Sequence, residues 1–186
     1  MAQFTADQLA LQAHIEAANA KFVAECEARG ATWYCTTVSD PAHWAEYGIF
    51  TIEQYERDSL ISYISDAHKD AYGFRPRGHN YEGWTLEQLQ EEADRMSEAV
   101  AREIERQAEA DREAVAEFEA QVQSNIEMGA ADRDTAIRWI LEAQGDLEVL
   151  WDDAGYACYL MDLPYSMEDV LRPVLNTMRN EAVEAA

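Results

Sequence analysis

The 186-residue chain carries 37 acidic and 14 basic residues, a net charge of −23. A field of that sign repels nucleic acid and anionic membranes and attracts basic protein surfaces, which argues against direct nucleic-acid binding and for a basic protein partner; solubility or salt adaptation also accounts for the charge. With 48% apolar residues, 5 Trp, 9 Tyr and 5 Phe, the chain is too rich in core-forming side chains to be disordered throughout. Its length suits one domain over 1–186, or two small lobes.

The first helix signal is Thr5-x-x-Gln8 after Phe4, a capping box with a hydrophobic staple onto Leu9. Ile15, Ala18, Phe22 and Cys26 follow at helical spacing, and Gly30 is a natural stop. Residues 32–38, TWYCTTV, form the one β-like run and read as a short strand or hairpin. Asp40-Pro41 then looks like an N-cap with Pro at the first helical position, opening a short helix that ends at Gly48. A second capping box, Thr51-x-x-Gln54, starts a helix with Ile52, Tyr55, Leu60, Ile64 and Ala67 inward and Gly73 as terminator. Residues 74–84, FRPRGHNYEGW, lack a period and read as a loop.

Thr85-x-x-Gln88 is a third box and opens the longest helical pattern, about Leu86 to Met128. At ~1.5 Å per residue it spans on the order of 60 Å. Leu86, Leu89, Ala93, Met96, Val100 and Ile104 mark one apolar stretch; Val115, Phe118, Val122 and Ile126 mark another. The intervening ERQAEADRE is polar all round, so the middle of the helix, about 100–115, is expected to project from a core packed on both ends. A helix over about 132–143 puts Ile137, Ile140 and Leu141 inward. Residues 146–161 fit a helix through Leu147, Leu150, Trp151, Ala154, Cys158 and Met161, although Gly155 and YACYLM also suit a strand beside TWYCTTV. Ser166-x-x-Asp169 starts a last helix, with a kink expected at Pro173 and fraying over 180–186. The fold class is therefore mostly α, a helical bundle with one helix of about 40 residues.

Residues 85–186 hold 25 of the acidic and 8 of the basic residues, −17 of the −23. On the long helix Glu105, Glu109, Glu113 and Glu117 recur every fourth residue. Like charges at that spacing cost stability. They read either as a solvated face or as a surrogate for phosphates, since neighbours lie ~6 Å apart along the axis. Glu91–Arg95, Glu98–Arg102 and Glu109–Arg112 are the expected relieving pairs. Just before this helix, Lys69, Arg75 and Arg77 form a basic loop flanked by His68 and His79. They read first as structural partners of nearby carboxylates, second as a phosphate-binding or docking loop.

Chemistry is thinly signalled. The spacing of Asp66, Asp70 and a His is too unspecific to assign a metal, and no cofactor is implied. GxSxG, P-loop, GxGxxG and HExxH patterns are absent, and no catalytic residue stands out, so a non-enzyme is expected. Cys26, Cys35 and Cys158 are far apart and read as reduced; the five Trp are scattered and read as core. MAQFTADQLALQ has no secretory pattern, and no apolar run approaches a ~20-residue span. The expected setting is cytoplasmic, without membrane contact.

Ser65–Gly78, SDAHKDAYGFRPRG, together with GAADRDTAIRWILEA and YACYLMDLPYS, resembles a family of small acidic proteins of tailed bacteriophages. In that family a segment like S-D-x-x-K-D-x-Y-G-x-R-P-R precedes a long charged helix. The resemblance covers roughly residues 60–170 and implies a phage origin and a host-cytoplasmic setting; it supplies no catalytic residues. The expected function is an accessory protein that inhibits a host nucleic-acid-binding protein of restriction, CRISPR or transcription machinery, by DNA mimicry. The alternative is a non-enzymatic structural protein forming a homodimer through the long helix.

Overall fold

The computed structural model describes residues 4–145, 150–151 and 153–184. Among them are seven α-helices: α1 (Ala6–Ala28), α2 (Pro41–Glu46), α3 (Ile52–Tyr72), α4 (Leu86–Glu127), α5 (Arg133–Ala143), α6 (Ala154–Leu160) and α7 (Glu168–Glu184), with a 3₁₀ turn at Tyr165–Met167. The mostly helical class and the long helix are as the sequence predicts, α4 being 42 residues long.

The three capping boxes form. Thr5, Thr51 and Thr85 each accept from the amide of the residue three positions on, and Gln8, Gln54 and Gln88 reach back to the threonine amide. Each box satisfies two otherwise orphaned donors, so it marks a helix start with few tertiary requirements. Asp40 caps α2 at Ala42 (2.9 Å), and Gly73 closes α3 in the left-handed region at φ 81°. Asp132 caps α5 by accepting from the Thr135 amide and hydroxyl, which holds its carboxyl below the usual range.

The packing divides into two compact units, Met1–Glu103 and Ile104–Ala186. In the N-terminal unit, Ile64 and Ala67 of α3 pack on Leu89, Ala93 and Met96 of α4. A second cluster joins Leu11 and Ile15 of α1 to Ile49, with Trp44, Ile52 and Tyr55 at its margin. Arg57 ties α3 to the following loop by donating to the carbonyls of Trp84 (2.5 Å) and Tyr81. In the C-terminal unit, Phe118 and Val122 of α4 join α5, α6 and α7 around Leu141, Leu171 and Leu175. Buried Asn125 donates to the Ala136 carbonyl at 3.1 Å.

Several expectations are corrected. No strand or hairpin forms at 32–38, nor anywhere among the described residues; this segment lies along α1 with no second strand beside it. Ala18 and Phe22 of α1 are exposed; the buried residues of that helix are Leu11, Ile15 and Cys26. Trp33 is not core but 81% exposed. Ile104 is 65% exposed, so the first apolar stretch of α4 ends at Val100. Leu150 and Trp151 are helical and Ala154–Leu160 is α6, whereas 146–149 and 152 lie outside the described residues. As the sequence places it, Pro173 lies within the last helix, which runs to Glu184; residues 185–186 lie outside the described residues.

Candidate functional site

Between Val100 and Phe118, α4 has no buried residue. The neighbouring apolar stretches pack into cores within the chain, the second including the partly buried Ala114 and Val115, which leaves residues 101–113 mostly to solvent and charge. Glu105, Glu109, Glu113 and Glu117 are all exposed. Each step of four advances the side chain by ~40° around the axis, so neighbours share a face while Glu105 and Glu117 differ by about 120°. The stripe is thus a shallow spiral.

Arg112 donates to Glu109 at 2.8 Å, and Arg102 lies 3.7 Å from Glu98, as the spacing predicts. Glu105, Glu113 and Glu117 have no ion pair among the described residues. Arg95 pairs with Glu92 rather than with Glu91. Glu92 is the residue that turns toward the core, at 8% exposed, and a carboxylate taken out of water demands the nearest cation.

Glu117 also borders a cavity of about 300 Å³ in the C-terminal unit. Its apolar lining includes Phe118, Ile140 and Leu163; Gln121 and Asp162 supply further polar groups. Asp162 has no ion pair among the described residues. A cavity lined by apolar side chains and by two acidic residues suits the stem and charged head of a Lys or Arg side chain. Sequence reading missed this feature because Asp162 lies 45 residues from Glu117.

The basic loop is built differently. Arg75 pairs with Asp66 and donates to Ser65 at 3.2 Å, so its charge is spent on the end of α3. His68 donates through Nδ1 to the Phe74 carbonyl at 2.8 Å and makes edge or tilted ring contacts with Tyr72, Phe74 and His79. Lys69 and Arg77 are exposed and have no ion pair among the described residues. Of the three cations, one is neutralised and two are exposed. No group of three His, Cys, Asp or Glu suited to a metal occurs among the described residues.

No family model, curated protein or solved structure matches this chain.

Ion pairs that join separate helices lie elsewhere and serve the fold. Arg133 grips Glu119 with both terminal nitrogens, at 2.5 and 2.6 Å, joining α5 to α4. Those bonds hold the Glu119 carboxyl below its ordinary range against an opposing push from burial. Arg138 bridges Glu142 and Glu181, joining α5 to α7. Neither long-range pair has a local sequence signal. Among the described residues no helix is long and apolar enough to cross a membrane.

Proposed function

We propose that this chain binds and blocks a basic, nucleic-acid-binding host protein, presenting the α4 carboxylates where that protein expects phosphates. The observation that carries this reading is the exposed run of α4 beyond Val100, where three of the four stripe glutamates lack a cation of their own. A carboxylate with no internal partner retains its attraction for an external one, and adjacent ones ~6 Å apart along the axis form a row of negative charge, sparser than the ~3.4 Å per charge of one nucleic-acid strand. The cavity beside Glu117 supports the same reading by offering a seat for one basic side chain of the partner. The phage resemblance makes a host defence or transcription protein the natural target class. Nothing in this reading requires catalysis or a cofactor.

A homodimer joined along α4 is less well supported. Its apolar positions are packed within the chain, and Ile104 alone is an exposed large apolar side chain in the middle of the helix, which is too little for a coiled-coil seam.

Affinity capture from a host lysate over a salt series tests the proposal. Capture of a nucleic-acid-binding protein should fall steeply as salt shortens the Debye length from ~8 Å toward ~3 Å, and the quadruple Gln variant of Glu105, Glu109, Glu113 and Glu117 should fail to capture it. Salt-independent capture, or full inhibition by the variant, would sink the proposal.

A further inference from the structure

Residues 33–40 form no strand but run along α1 with one backbone edge left open. From Trp33 to Asp40 the chain runs without a bend. At Thr37 both backbone groups are bound by the Asn19 side chain: the amide donates to Oδ1 at 3.0 Å, and the carbonyl accepts from Nδ2 at 2.7 Å. One residue turns both groups to the same side only in extended backbone. Along such a run Trp33 and Cys35 turn their backbone groups with Thr37, while those of Tyr34 and Thr36 turn to the opposite edge. Among the described residues no hydrogen bond reaches the backbone of residues 32–36. An unpaired β-prone edge of this kind is a template for strand addition.

Charge selects the occupant. Residues 30–39 contain no Asp, Glu, Lys or Arg, the longest such run in a chain of −23. A basic partner would be recognised by carboxylates, and this run has none. Two copies of the chain repel each other over most of their surface; the carboxylates nearest this run, Glu27 at the Tyr34 hydroxyl and Glu16 at the Ser39 hydroxyl, belong to α1, the helix that closes the opposite edge through Asn19, and the run itself brings none to the open edge.

We propose that two copies pair antiparallel through this edge, centred on Cys35. In that register Tyr34 exchanges N–H···O bonds with Thr36 of the second copy, and Trp33 packs across on Thr37 of the second copy. The two Cys35 residues face each other as a non-hydrogen-bonded pair. Asn19 closes the far edge, and Trp44, donating to the Val38 carbonyl at 2.7 Å, limits the ladder at its end. So short a ladder makes a weak, concentration-dependent dimer. The proposal is independent of the acidic face of α4.

Cys35 reads out the register. It is exposed, whereas Cys26 and Cys158 are buried. Opposed residues in this pairing have Cα atoms ~4.5 Å apart, within the ~4.4–6.8 Å that a disulfide spans. Full-length protein treated with diamide, which takes up the two thiol hydrogens, should form a Cys35–Cys35 disulfide whose yield follows the dimer fraction measured by sedimentation. Thr36→Pro removes the amide needed at two symmetric positions and should weaken the dimer roughly tenfold or more. Trp33→Ser keeps the backbone and alters an exposed side chain, so it should weaken the dimer with circular dichroism unchanged. A chain that stays monomeric at every concentration overturns the proposal, even if the segment accepts a strand of another protein. So does a dimer, or a Cys35 cross-linking rate, that neither substitution changes.

Discussion

Replacing Glu105, Glu109, Glu113 and Glu117 together by Gln is expected to stabilise the protein while abolishing partner capture. The stripe contains three like-charged pairs four residues apart, each costing ~0.2–0.5 kcal/mol at low salt. Their removal therefore returns about 0.6–1.5 kcal/mol. Against this stands the Glu109–Arg112 pair, whose side chains are 63% and 65% exposed, so screening limits its loss to about 0.3–0.5 kcal/mol. Gln and Glu have nearly equal helix propensity. The net gain at low salt is about 0.1–1.2 kcal/mol. In 1 M salt the Debye length of ~3 Å is shorter than the ~6 Å between neighbouring carboxylates, and the gain should vanish. Urea denaturation followed by circular dichroism at both salt concentrations measures it. A variant less stable than the parent by more than about 1 kcal/mol at low salt would mean that these carboxylates are held by attractive partners inside the fold. They would then be structural, and the case for a docking face would collapse.

Three further outcomes follow from the packing. Leu171 is fully buried in the C-terminal unit, so Leu171→Ala should cost about 2–5 kcal/mol, seen as a lowered urea midpoint. Glu119 is held below its ordinary range by Arg133; its contribution is present above the unfolded carboxylate value of ~4.3 and is lost as pH falls through the lower folded value. Both side chains are over 40% exposed, so the effect stays below about 1 kcal/mol, and Glu119→Gln should flatten the acid limb of the stability profile by that amount and leave no residue of it at Arg133→Gln. Arg57→Ala should free the Tyr81 and Trp84 carbonyls at a cost on the order of 1–3 kcal/mol, with hydrogen exchange accelerating in residues 78–88; unchanged exchange there would refute the tether.

The helix starts were legible because a capping box is a local device: Thr51 and Gln54 are three residues apart and exchange their bonds wherever the rest of the chain goes. The same holds for Asp40-Pro41, for the left-handed Gly73, and for the apolar spacing that buries Leu89, Ala93 and Met96. Four-residue spacing likewise placed the stripe glutamates on consecutive turns, and the exposure of Glu105, Glu109 and Glu113 follows from the polar run 105–113.

Tertiary structure decided what spacing cannot. β propensity marked TWYCTTV, but a sheet needs a second strand, and the chain offers a carboxamide from Asn19 instead. Arg95 chose Glu92 over Glu91 because burial, not orientation along the helix, sets which carboxylate needs a cation. Arg57, the Glu119–Arg133 pair and the Glu117–Asp162 cavity join residues 14 to 45 positions apart. Local sequence carries the hydrogen bonds that begin a helix. Which charges are left without a partner depends on which elements pack together, and that is settled only in the folded chain.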